Sequence, residues 1–307
     1  MRTMLFRLAI MAILLVTITG QSHAQEESRW SIYESFHGST NSAGQVFKMD
    51  TGVAFDLNDH VGIGGGIPFY FVRGSSNSTT ATGMQRGIGN AYVDLQFKAT
   101  GPATFTSTIT GTVPTGDKDK GFSTGRATVD WNNYIAMPLP RITPYANIGV
   151  ANTISDTAFF VRPFSSLGVV GHFEGGATVS LAQYFSVGSS AYAIAPTGEQ
   201  RIVSRVVQRE VQQASGSSSS AASSNAQGRG ATQSSQARSG QNRVFETVVE
   251  TVGSADIAGD HGFSGWMEVA KGSDVYFQLG YSRSIPYQFD SVFFSLGFNV
   301  TSLLRKK

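Results

Sequence analysis

His172 and Glu174 stand two residues apart, the spacing at which strand side chains share a face. Such a pair could work as acid and base or supply half of a metal site. Nothing around them completes either set. The chain has no GxSxG, no HExxH and no phosphate loop; the glycines between 62 and 66 have no Lys-Ser or Lys-Thr after them. Zero cysteines exclude a thiol nucleophile, a cysteine metal site and a disulfide scaffold. A lipid-cleaving enzyme would need His and Ser together at a greasy face, whereas His172 lies opposite Leu167, Val169 and Phe173. The expectation is a non-enzyme with no cofactor and no metal. A wider polar set shares the side of His172 and Glu174. Asp50, Asp56, Asp94, Asp130 and Glu268 are its acids, Lys48 and Lys98 its bases, and Tyr92, Gln96, Asn132, Tyr134 and Gln278 its neutral members. Rings of like charge can set ion preference in a pore. The same residues could instead pair with basic neighbours and fill a lumen, and both readings stay open.

The elements that carry these residues alternate with period two. In the strand expected over 87–100, Ala91, Val93, Leu95, Phe97 and Ala99 oppose Tyr92, Asp94, Gln96 and Lys98. Phe105, Ile109 and Val113 alternate with threonines, and Val129, Trp131 and Ile135 with Asp130, Asn132 and Tyr134. Similar segments cover 30–39, 45–57, 61–73, 141–153, 165–181, 185–195, 262–271, 275–285 and 291–300, about twelve strands in all. Every second joint is short, at 58–60, 101–103, 138–141, 182–184 and 272–274, while the others are long. An even strand count with short turns at one end and long loops at the other predicts an all-β antiparallel transmembrane barrel. Its short turns would be periplasmic and its long loops extracellular. Its polar face would look into the lumen, although the face of the first strand is not decided by pattern. Twelve strands lie between filled eight-stranded barrels and open sixteen-stranded porins, so size leaves the channel undecided.

Residues 1–24 read as an export signal. Arg2 and Arg7 precede an apolar core at 8–16, and Ser22-His23-Ala24 is a small–x–small cleavage site. Without Arg2 and Arg7 the basic residues match the 21 acidic ones, so charge makes no case for nucleic acid. Only 14% of residues are charged, a composition that suits strands facing lipid on one side. The barrel would then span 25–307, with outer-membrane lipid and a small solute as partners.

An insertion at about 199–259 interrupts the strand pattern. Its centre, 212–242, is mostly Ser, Ala, Gln, Gly and Arg and lacks the apolar surface that offsets ordering entropy, so disorder is expected there. Its flanks are rich in valine. Written antiparallel with positions summing to 455, they set Val203 against Val252, Arg205 against Glu250, Val207 against Val248, Arg209 against Glu246 and Val211 against Val244. That matching predicts a two-stranded arm standing beyond the membrane.

The run Gly87-Ile88-Gly89-Asn90-Ala91-Tyr92 and the later Val113-Pro114-Thr115-Gly116-Asp117 resemble the outer-membrane transporters of the meta-pathway phenol-degradation family. Asn90 stands where that pattern carries an acid, the serine-rich insertion is foreign to it, and the chain ends on Leu-Leu-Arg-Lys-Lys rather than an aromatic residue. The resemblance implies passage of hydrophobic or aromatic compounds. Two readings follow: a barrel passing small solutes by passive diffusion, or a non-conducting barrel that binds a partner through its long loop.

Overall fold

The computed structural model describes residues 29–75, 83–154, 156, 161–207, 244–272 and 274–305. The expected export signal, the serine-rich tip and Arg209 lie outside the described residues.

Twelve antiparallel strands close into a barrel. They are β1 (Trp30–Asn41), β2 (Gly44–Asp56), β3 (Val61–Gly74), β5 (Ala91–Ala99), β6 (Thr104–Val113), β7 (Thr128–Ala136), β8 (Ile142–Ala151), β10 (Val170–Ala182), β11 (Phe185–Pro196), β14 (Asp260–Lys271), β15 (Val275–Ser284) and β16 (Phe289–Asn299). The first strand meets the last from Tyr33↔Asn299 to Asn41↔Ser291, so the sheet is left without an open edge there. Closure lets every ladder group find a partner, which a hydrocarbon environment demands. The outer surface is apolar: Val93, Leu95, Phe97, Ile109, Trp131, Ile148, Phe173, Phe263, Met267, Leu279 and Val292 all point outward. At the short-turn end Trp30 packs on Phe55 with ring centroids 4.6 Å apart, in the place of an interfacial aromatic girdle. The tight turn after β2 is held by Asn58 Oδ1, which accepts from the backbone N–H of His60 at 2.8 Å and Val61 at 2.9 Å. Tyr33 and His37 settle the first strand, whose odd-numbered residues face inward.

Two strands expected to be continuous are broken. The stretch from Gly87 to Ala99 divides into β4 (Met84–Ile88) and β5, because β3 changes partner from β5 to β4 near Gly66. The joint is closed by the second motif. Thr115 Oγ1 donates to Gly89 O at 3.0 Å and accepts from Ala91 N–H at 2.8 Å, while Gly116 N–H donates to Asn90 Oδ1 at 3.3 Å. The stretch from Ser165 to Leu181 breaks at Gly168, whose φ of 142° favours glycine and whose missing Cβ admits the Gln200 side chain. Before the break lies β9 (Phe164–Leu167), which has left the barrel wall.

The largest departure from expectation lies in the described flanks of the insertion, 200–207 and 244–259, which turn inward rather than standing out as an arm. β12 (Gln200–Ser204) pairs with β9 on one side and β13 (Glu250–Gly253) on the other, a three-stranded sheet seated in the long-loop mouth. Phe245, on the short helix α1 (Val244–Thr247), stacks on Phe164 at 4.7 Å and meets Tyr287 at 5.7 Å and Phe289 at 5.9 Å. Around this plug the inner wall changes from polar to apolar: Val46, Tyr70, Val72, Ala151, Val170 and Phe289 are buried against Ile154, Val161, Phe164, Ile202 and Val206. The hydrophobic effect therefore holds the loops in the mouth.

The arm's register is corrected as well. Val203 lies opposite Glu250 and Arg201 opposite Val252, two residues away from the expected alignment. Glu250 is bound by Arg201, not by Arg205, and Glu246 sits on α1 rather than on a strand. Arg205 instead reaches Asp156 at 3.1 Å, the Arg162 carbonyl at 2.8 Å and Ser165 Oγ at 2.8 Å. Burial drives that choice, since a guanidinium inside the plug needs a buried carboxylate and several acceptors.

Candidate functional site: the polar lumen below the plug

Beneath the plug the barrel encloses a cavity of about 640 Å³. Ten residues of the polar set line it: Lys48, Asp50, Tyr92, Asp130, Asn132, Tyr134, His172, Glu174, Glu268 and Gln278. Asp56, Asp94, Gln96 and Lys98 share the inward side of β2 and β5 but stand outside the cavity lining. Of these, Asp94 is buried beside Gly64, and Asp56 meets Lys98 at 3.5 Å near the short-turn rim.

His172 and Glu174 do not act on each other. The His172 ring is 2.9 Å from Asp130, whereas Glu174 accepts from the Tyr145 hydroxyl at 3.0 Å. Glu268 accepts from the Gln278 amide, and Asp50 accepts from Tyr92 at 3.1 Å with Lys48 3.6 Å away. Charge at the plug end of the cavity is engaged as well. Arg162 Nη1 meets Asp260 at 2.9 Å, and Tyr192 also donates to that carboxylate at 3.2 Å.

The aromatic residues of the wall follow a rule that the polar pattern does not disclose. Tyr33 faces Gly52, Tyr92 faces Gly66, Tyr145 faces Gly176 and Trp266 faces Gly188, each directly across a ladder. A Cβ on Gly176 would stand 2.9 Å from the Tyr145 hydroxyl, and one on Gly188 would overlap the Trp266 ring. His172 lies over Gly149 in the same way. Each glycine gives its partner room to lie along the wall, which leaves the middle of the lumen clear. Sequence reading missed Tyr33, Tyr145 and Tyr192. The signal that would have found them is a glycine opposite an aromatic residue once the strands are aligned.

No protein-family model matches this sequence, and no curated protein sequence does. Solved structures do match. The COG4313 outer membrane channel from Pseudomonas putida F1 superposes with a TM-score of 0.53 at 9% identity, over 92% of this chain and 99% of that one. The NanC porin gives 0.45 at 7% identity over 86% and 98%, and the CymD monoaromatic hydrocarbon channel 0.39 at 6% over 90% and 89%. At such identities the first of these carries the fold alone: the chain is an antiparallel transmembrane β-barrel.

Proposed function

We propose that the protein is an outer-membrane channel through which small solutes diffuse, with the long-loop end extracellular and closed by the plug when at rest. The observation that carries this reading is the polar cavity, bounded by flattened aromatic rings, inside a barrel whose outside is apolar. A lumen built only for support would be filled by side chains. Asp50, Tyr92, Asp130, Asn132, Tyr134, His172, Glu174, Glu268 and Gln278 are assigned to the solute path, with Asp56, Asp94, Gln96 and Lys98 at or toward its short-turn exit. The motif resemblance favours hydrophobic or aromatic compounds among the solutes. Liposome swelling with sugars, nucleosides and aromatic acids tests the proposal and ranks the classes. Swelling by at least one class, increased when residues 199–259 are replaced by a short turn, is the expected result. Neither swelling nor single-channel current, with or without the insertion, would leave a non-conducting barrel that acts through its loop.

A further inference from the structure

Away from the plug the cavity wall carries an excess of carboxylates: Asp50, Asp130, Glu174 and Glu268 stand there with Lys48, while Arg162 and Arg205 line its plug end. Among the described residues, Glu174 is met by a tyrosine hydroxyl and Glu268 by a glutamine amide. Asp130 is met by an imidazole. Lys48 stands beside Asp50, and Arg162 and Arg205 are held by Asp260 and Asp156. The buried carbonyl oxygens of Asn132 and Asn147 have no donor among the described residues. The strand wall away from the plug therefore offers mainly acceptors and negative charge, which suits a donor that is positive; the guanidiniums of Arg162 and Arg205 lie at the plug end.

Aromatic surface adjoins those acceptors. Tyr134 and Tyr145 have ring centroids 5.6 Å apart, and Tyr145 also packs against Trp266. The Tyr145 hydroxyl lies over Gly176, and both Tyr145 and Tyr134 line the cavity. A cation over the face of such a ring is attracted by the ring quadrupole, and a carboxylate at its edge adds to that attraction. A sugar would satisfy the amide oxygens but bring no charge. A carboxylate solute would meet Asp130, Glu174 and Glu268 along this part of the wall.

We infer that this part of the lumen binds organic ammonium ions, a protonated amine carried on an aromatic or alkyl body, with Glu174, Glu268 and the Tyr134–Tyr145 pair as its recognition surface. The inference rests on the channel reading for its biological role, but not for the binding itself.

The test uses the full barrel in detergent and three probes of one shape: benzylammonium, benzyl alcohol and benzoate. Titration calorimetry should show benzylammonium binding at least tenfold more tightly than either other probe. Glu174→Gln with Glu268→Gln should abolish that preference while the barrel keeps its heat-modifiable gel shift. Tyr145→Leu should weaken benzylammonium more than methylammonium. Equal binding of the three probes by the unaltered protein would overturn the inference, and so would a preference for benzoate. Planar-bilayer recordings separate the two readings. Selective benzylammonium binding without any current supports the site and removes the channel; current without discrimination among the probes removes the site and keeps the channel.

Discussion

The Arg205 guanidinium lies 4.7 Å above the centroid of the Tyr70 ring, so a residue of the insertion is stacked on a residue of the barrel wall. Tyr70 in turn stacks on Phe122 at 5.6 Å and donates to Asp156 at 3.2 Å. One side chain from the plug thus joins the wall, the loop after β6 and the loop after β8. Arg205→Met should leave Asp156 buried without its guanidinium, at a local cost of about 3–5 kcal/mol. Hydrogen exchange at Ile202 and Val203 should speed up more than a hundredfold, and open events in bilayer recordings should become frequent. Unchanged protection would show that apolar packing alone seats the plug.

The same ion pair makes the plug sensitive to acid. Burial by itself would raise the Asp156 carboxyl, but Arg205 and Lys48 beside it hold it below its ordinary value of 3.8. A carboxyl with a lowered pKa in the seated state contributes stability above its ordinary value and loses it as pH falls through the lowered one. The seated plug should therefore be indifferent to pH between about 5 and 8 and loosen below about pH 4. Conductance should rise in that acid window, and Asp156→Asn should flatten the rise. A rise centred near pH 6 would point to histidine instead.

Arginine placed on the two faces of one strand should tell lipid from lumen. Leu95 is 47% exposed on the outside of β5 and Leu279 40% exposed on the outside of β15. Leu95→Arg or Leu279→Arg should cost about 2–4 kcal/mol near the bilayer midplane, and Gln96→Arg or Gln278→Arg much less. Folding titrations into lipid vesicles measure the difference. Equal costs on both faces would contradict a membrane-embedded barrel.

The absence of native cysteines makes crosslinking a clean check of the plug's register. Arg201→Cys with Val252→Cys places two thiols directly opposite each other, as in the observed ladder. Val203→Cys with Val252→Cys places them two residues out of line, roughly 7–8 Å apart at the backbone. The first pair should oxidise readily and the second poorly. The reverse order would restore the expected register, with Val203 opposite Val252.

Thr115 clasps the two halves of the broken strand, donating to Gly89 and accepting from Ala91. Thr115→Val removes both bonds and leaves a backbone N–H and C=O without partners, for about 1–3 kcal/mol. Exchange of the Ala91 amide should accelerate, and Thr115→Ser should restore protection. If valine is silent, the joint is held by Asn90 and Gly116 without it.

Strand alternation decided most of the barrel. Leu95 outside and Asp94 inside follow from period two, because a wall between lipid and water gives each residue only two environments. The twelve-strand count and the short turns came from the same pattern, since a hydrocarbon belt fixes strand length and closure removes edges. Alternation cannot distinguish alignments that differ by two residues, as both keep the same faces together. That is why Arg205 matched Glu250 on paper while Arg201 holds Glu250 in the fold. The inward turn of the insertion was beyond a local reading for a related reason. Val46, Val72, Val170 and Phe289 are far apart in the chain and form an apolar ring only once the barrel has closed. A plug of Phe164, Ile202 and Phe245 has somewhere to bury its surface only when that ring exists, so its seat is set by tertiary structure.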